Sequence, residues 1–231
     1  MILVFDIDGV LTNIGECINK EFSLFLLKFL NARKYYLITG SDITKSINQI
    51  GNELINNAKI SYHCLGNQYK KNETINQRNQ FTLVEEELDF ITDLYKSSFW
   101  TKKSETFLQL RQGSINFSLV GQSASDLDKI IYAEQDMIIH ERLKFVNLIN
   151  QNLSRLSAFV GGRASIDLCL KGCDKSQIFR EISHSPITFF GDRCSPGGVD
   201  YPLAKLCIGE HKVYEIKNGY LETWDLLKKI L

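Results

Sequence analysis

Val4-Phe5-Asp6-Ile7-Asp8-Gly9-Val10-Leu11-Thr12 is the stretch on which the fold turns. Residues 2–5 are continuously apolar, the pattern of a strand buried on both faces of a parallel sheet. The strand runs into two carboxylates spaced i and i+2, then into Gly9. An unpaired buried carboxylate is expensive. At the C-terminal edge of a parallel sheet, a divalent cation and a phosphate supply the missing partner. The plainer reading is a strand that ends at an Asp-Gly turn; it leaves the matching parts found further along the chain unexplained.

Residues 21–33 (EFSLFLLKFLNAR) read as a strongly apolar helix and 35–39 (YYLIT) as the next buried strand. Strand alternating with helix predicts a doubly wound parallel sheet. Thr39-Gly40-Ser41-Asp42 closes that strand and opens a helix through about residue 57. Hydroxyls and backbone N–H groups at such a junction make a phosphate site, and Ser41 or Asp42 also suits a helix N-cap. Residues 59–63 read as a third strand.

The stretch 67–80 is rich in Asn, Gln and Lys, which marks a linker or hairpin leaving the core. An acidic amphipathic helix follows at 83–97, then hairpin strands at 105–111 and 115–121 about Gln112-Gly113. Helices are expected at 124–132 and 136–152, and strands at 155–160 and 164–170. Antiparallel strands with helices on one face describe an α+β insert. The predicted architecture is a Rossmann-like core (1–78 and 171–231) with an inserted α+β cap (79–170).

After the insert, a helix is predicted at 174–183, a buried strand at 187–190, short strands at 205–208 and 213–216, and a terminal helix at 220–231. Asp192, at the end of an apolar strand, repeats the logic of Asp6 and is a metal candidate. Asp200 either adds an outer-sphere contact and positions its loop or caps a turn. Lys175 opposes the dipole at a helix start, an arrangement that an anion at that end would justify.

Lys and Arg together number 27, as do Asp and Glu, so no bulk field recruits nucleic acid or an anionic membrane. The chain is 44% hydrophobic and 23% charged over 231 residues, ordinary for a globular protein holding a core and one insert. Six scattered cysteines follow no disulfide or metal pattern and predict reduced thiols in a cytoplasmic protein. Asp6 and Asp8 interrupt the N-terminal apolar run too early for a signal peptide, and no apolar run reaches membrane-spanning length.

FDIDGVLT resembles the opening motif of the haloacid dehalogenase superfamily. That resemblance implies Asp6 as the nucleophile, Asp8 as the general acid/base, Thr39 (with Ser41 close behind) on the transferring phosphoryl group, and Lys175 paired with the nucleophile. A carboxylate nucleophile divides one displacement into two through an aspartyl-phosphate. Magnesium offsets the repulsion between carboxylates and an incoming dianion, and the metal candidates are Asp6, Asp8, Asp192 and Asp200. ITFFGDRCSPGGVDYPL, VGGRASIDLCLKGCDK, LRQGSINFSLVGQSA and ERLKFV narrow the resemblance to the eukaryotic-type phosphomannomutases.

This implies substrate contacts at Ser41, Arg111, Asn116, Gln122, Lys129, Arg163, Ser165 and Asp167. Gln122 and Lys129 stand where that family has cap arginines, and Gly15 where it has a core arginine. Arg163 replaces a usual glutamine, and Val199 an asparagine. Lysine does not reproduce the bidentate fork of arginine. The expected activity is magnesium-dependent phosphoryl transfer on a hexose phosphate, with a possible homodimer through the cap. Sugar-phosphate hydrolysis is the second reading and non-catalytic sugar-phosphate binding a third.

Overall fold

The computed structural model describes residues 1–230. Strands β1 (Ile2–Phe5), β2 (Tyr35–Ile38) and β3 (Ile60–His63) pair in parallel. The hairpin β4 (Gln68–Lys71) and β5 (Thr74–Gln77) extends the β3 edge antiparallel. Strands β6 (Leu108–Arg111), β7 (Ser114–Ser118), β8 (Leu156–Val160) and β9 (Ser165–Leu170) form a separate antiparallel sheet, ordered β6-β7-β9-β8. Strands β10 (Ile187–Gly191) and β11 (Lys212–Glu215) then return to the first sheet, giving the order β11-β10-β1-β2-β3-β4-β5.

The apolar runs work as their period requires, because successive side chains of a strand face opposite ways. Leu3, Phe5, Tyr35 and Leu37 pack on one face of the large sheet with α1 (Lys20–Leu30) and α2 (Ile43–Asn57). Ile2, Val4, Tyr36 and Ile38 pack on the other face with Ile178, Ile182 and Leu203. Asn19 caps α1 by accepting from the N–H groups of Glu21 and Phe22.

The small sheet follows the same rule with one polar face. Ile115, Phe117, Ile166 and Leu168 bury against α3 (Glu85–Ser97), α4 (Asp126–Ile139) and α5 (Glu141–Asn152). Their neighbours Asn116, Ser118, Ser165 and Asp167 line a cleft between this cap and the core. The fold is α/β, a mostly parallel sheet flanked by helices, with an inserted α+β cap.

Three expectations are corrected. The first of the paired cap helices runs to Ile139, and the break falls at His140 (φ +57°), where Asp136 Oδ1 accepts from Arg142 N at 2.9 Å. No strand forms at 205–208; Pro202 sits in the first turn of a short helix, α7 (Tyr201–Ala204), and turns follow it. The predicted helix at 174–183 is a 3-10 turn, Lys175–Ile178, followed by the single turn α6 (Phe179–Ile182). The last described element is α8 (Gly219–Ile230), whose Leu227 joins the buried cluster that holds Leu3 and Phe5 of β1. All six cysteines are free, and no described helix is long and apolar enough to cross a membrane.

Candidate active site

From β1 the chain winds outward to β2 and β3, and later returns on the other side through β10. The ends of β1 and β10 therefore flank the point where strand order reverses, where open α/β sheets leave a crevice. Phe5 pairs with Phe190 in register, and Asp6 N donates to Phe190 O at 2.9 Å. Asp6 and Asp192 thus emerge side by side. Carboxylate oxygens of Asp6, Asp192 and Asp200 all lie within 4.8 Å of one another. Gly9 completes this corner: its φ is +79°, and a Cβ there would stand 2.7 Å from Asp192 Oδ2.

Lys175 is fully buried, its Nζ 3.1 Å from Asp6 Oδ1 and 2.7 Å from Asp200 Oδ1. Burial by itself would lower the lysine pKa, but Asp200 and Asp6 hold it above the usual value. Asp200 is also fully buried, and its Oδ2 accepts from Asp192 N and Arg193 N at 3.0 and 3.1 Å. It shapes the loop and holds Lys175 from behind the cleft. Two carboxylates thus share one ammonium, and the third, Asp192, has Arg193 Nε at 3.6 Å, so three carboxylates face two cations. Burial raises the Asp6 pKa despite Lys175, and lifts that of Asp192 to about 7 despite Arg193. This surplus of negative charge on hard oxygen donors fits a divalent cation at Asp6 and Asp192.

The Asp8 carboxylate lies outside the acidic cluster. Its Oδ1 accepts from Gly15 N at 2.9 Å and Gln49 Nε2 at 2.7 Å, and its Oδ2 from Lys45 Nζ at 2.8 Å. Partial burial would raise its pKa, but Lys45 and these hydrogen bonds hold it below the usual range. Thr39 Oγ1 accepts from Ser41 N at 3.1 Å, which folds the strand end into a tight turn facing the same space.

One cavity of about 300 Å³ collects every catalytic, substrate-binding and metal candidate named from the sequence except Asp200. Arg111 reaches from the cap to donate to Gly40 O at 2.9 Å, and lies 3.5 Å from Asp167. Gly40 is needed there, since a Cβ would meet Asp167 Oδ2 at 2.9 Å. Asn116 Nδ2 donates to Asp167 Oδ1 at 2.9 Å. Gln122 is spent inside the cap, donating to Phe107 O and Asn116 O at 3.2 and 3.1 Å. Lys129 pairs with Asp126 at 3.4 Å, and Arg163 with Glu16 of the core at 3.6 Å.

Arg163 also stands over Gly15, with its Cζ 3.9 Å from where a Cβ would be. Lys45, Gln109, Asp126 and Arg193 line the cavity without having been anticipated. Lys45 and Gln49, four residues apart on α2, carried the one usable signal, a shared helix face.

The model of the eukaryotic phosphomannomutase family matches residues 22–219. The chain belongs to that family. Phosphomannomutase 1 of Mus musculus is 30% identical over 218 residues, covering 88% of this chain and 82% of that protein. The phosphomannomutase of Dendrobium officinale is 28% identical over 216 residues, covering 88% and 84%. Among solved structures, Plasmodium falciparum IMP-nucleotidase superposes with a TM-score of 0.63 at 16% identity, over 100% of this chain and 68% of that one. The C-terminal domain of Candida albicans trehalose-6-phosphate phosphatase gives 0.62 at 14%, over 100% and 92%. These structural likenesses show the fold. Membership of the phosphomannomutase family makes the chain an enzyme of the isomerase and phosphotransferase class.

Proposed function

We propose that this phosphomannomutase-family enzyme interconverts hexose 1- and 6-phosphates, with mannose phosphate as the reference substrate, through an aspartyl-phosphate on Asp6. The observation that carries this is the polarity of one cavity. At its core end stand Asp6, Lys175 and Thr39, and on its cap side Arg111, Lys129 and Arg163. A sugar carrying a phosphate matches that span, with the reacting phosphoryl group at Asp6 and the sugar's far end on the cap.

With Asp6 phosphorylated by a hexose bisphosphate, a hydroxyl of the hexose monophosphate gives its proton to the Asp8 carboxylate as its oxygen bonds to phosphorus and the bond from phosphorus to Asp6 breaks. In the return half-reaction an Asp6 oxygen attacks the other phosphorus of the resulting bisphosphate, and that sugar oxygen leaves with the proton from Asp8. Lys175 neutralises Asp6 in the resting state, and its Nζ serves the phosphoryl oxygens as negative charge moves outward. Thr39 and Ser41 supply hydroxyl and backbone donors at the strand end. Asp8 must leave Lys45 and Gln49 to reach the leaving oxygen. Asp6 and Asp192 would hold magnesium, with Asp200 fixing the loop behind them. Bound there, magnesium offsets the repulsion between these carboxylates and the phosphoryl group.

Hydrolysis is the competing outcome, and one observation favours it: Gln122 and Lys129 are engaged with partners inside the cap. A weaker hold on the distal end leaves more time for water. We also infer that two copies pair through the cap, because Leu127, Met137 and Ile138 on α4 are 66%, 69% and 82% exposed.

The direct experiment is a product assay on mannose 1-phosphate with magnesium, with and without a hexose bisphosphate activator. Mannose 6-phosphate formed in an activator-dependent way is expected. Inorganic phosphate as the sole product would establish a phosphatase instead.

A further inference from the structure

Two guanidinium groups, one from each part of the molecule, converge on a single carbonyl oxygen. Arg142 Nη1 donates to Gly162 O at 2.6 Å, and Arg193 Nη2 donates to the same oxygen at 2.8 Å. Arg142 opens α5 in the cap and is fixed by its buried pair with Asp136 at 2.7 Å. Arg193 belongs to the core loop after β10, with its Nε 3.6 Å from Asp192 Oδ2. Like charges are not brought together without a reason. Burial and the nearness of Arg193 both lower the Arg142 pKa.

Gly162 sits in the turn between β8 and β9, which lines the cavity through Gly161, Gly162 and Arg163. Two further contacts tie this turn to the core. Val160 N donates to Gly197 O at 2.8 Å, and Arg163 lies 3.6 Å from Glu16. The Val160 contact is backbone to backbone, and the Glu16 partner is more than half exposed. Arg193 differs from both. It is a side chain mostly shielded from solvent, with one edge of its fork toward the cap carbonyl and the other toward the carboxylate next to the reaction centre. A guanidinium suits that double task because its donors are held in one plane.

We propose that Arg193 is a positioning residue that selects the phosphoryl acceptor. It holds the β8–β9 turn down on the core while Asp6 carries phosphate, so that a sugar hydroxyl retained under the cap is favoured over bulk water. The proposal rests on the aspartyl-phosphate reading above. In either outcome the acceptor oxygen forms a bond to phosphorus, and the bond from phosphorus to the Asp6 oxygen breaks with its electron pair left on the carboxylate. The acceptor's proton passes to Asp8. A hydroxyl acceptor gives a sugar phosphate, and water gives inorganic phosphate. Arg193 touches neither reacting atom; it governs which acceptor is present.

The test uses the full chain with Arg193→Gln and Arg193→Lys, given mannose 1-phosphate, magnesium and a hexose bisphosphate. Four quantities are read: phosphoenzyme formed, the ratio of inorganic phosphate to hexose 6-phosphate, the magnesium midpoint, and amide exchange over residues 160–163. Arg193→Gln should raise the hydrolysis-to-transfer ratio roughly tenfold, the factor that follows from losing one charge-assisted hydrogen bond. Exchange over the turn should rise while phosphoenzyme still forms, with the products of each variant compared at magnesium that saturates it. Arg193→Lys, which keeps the charge beside Asp192, should fall between the two.

An unchanged ratio, or a changed ratio without faster exchange, overturns the proposal. A shifted magnesium midpoint with both products falling together does so too, by showing that Arg193 acts through Asp192. If Arg193→Gln does not fold, an unchanged ratio in Arg193→Lys refutes the proposal and a raised one supports it. Absence of phosphoenzyme in the unaltered protein would instead refute the underlying reading, before any variant is compared.

Discussion

Lys175 Nζ lies 3.1 Å from Asp6 Oδ1, and neither side chain has meaningful contact with solvent. The ammonium is the internal counter-ion of a carboxylate that burial would otherwise leave uncompensated. Removing it should therefore cost stability as well as activity. Lys175→Met is expected to lose about 3–5 kcal/mol in denaturant unfolding at neutral pH with a chelator present. The deficit should shrink as pH falls, because burial raises the Asp6 pKa and, without its cation, Asp6 takes up a proton more readily folded than unfolded, so proton uptake then favours the fold. A deficit that stays constant with pH would show that the lysine acts by packing alone.

A second pH effect arises away from the site. His63 is fully buried, with Ser46 Oγ 3.0 Å from Nδ1 and Ser61 Oγ 3.1 Å from Nε2. Burial, partly offset by Asp42, pushes its pKa down to about 4 from the usual 6.5. The unfolded chain then binds the proton first, so stability should decline from about pH 6.5 towards pH 4 and gain no further loss from this group below that. Stability curves of the unaltered chain and His63→Gln should converge across that window; parallel curves would mean that His63 does not set the slope.

Asp8→Asn should cut turnover on a hexose phosphate about 100- to 10,000-fold, the usual worth of a positioned proton donor. An aryl phosphate, whose leaving group needs no proton, should lose much less in the phosphorylation step. Equal losses on both would argue that Asp8 holds Lys45 and Gln49 in place and does not donate the proton.

Arg111 makes a claim about the cap. Arg111→Ala should weaken binding of sugar phosphates by about 1.5–3 kcal/mol, one charge-assisted contact. Acetyl phosphate, too short to reach the cap, should be turned over almost as before. If both substrates lose equally, the bond from Arg111 to Gly40 O supports the core site itself.

Much of this was legible because strands write their environment into the sequence. The apolar run before Asp6 gave a strand buried on both faces, and the hairpin about Gln112-Gly113 with the strand pair at 155–160 and 164–170 marked an α+β insert. What stayed hidden depended on partners distant in the chain. Lys175 meets Asp200, 25 residues on, and Asp8 meets Lys45, 37 residues on. Arg142 and Arg193 meet only through a carbonyl that carries no side-chain signature. The break at His140 was missed because a left-handed non-glycine residue has no strong sequence signal. A strand was expected at 205–208 because Leu206, Cys207 and Ile208 are apolar, whereas Pro202 had already set a helical turn.

The most direct measurement is the site of phosphorylation after brief incubation with a hexose bisphosphate and magnesium, read by peptide mass and by sensitivity to hydroxylamine. One hydroxylamine-labile phosphoryl group on Asp6 is the expected result, absent from a folded Asp6→Asn variant. A phosphoryl group on another residue, or full turnover by Asp6→Asn, would contradict the assignment of Asp6 as the nucleophile.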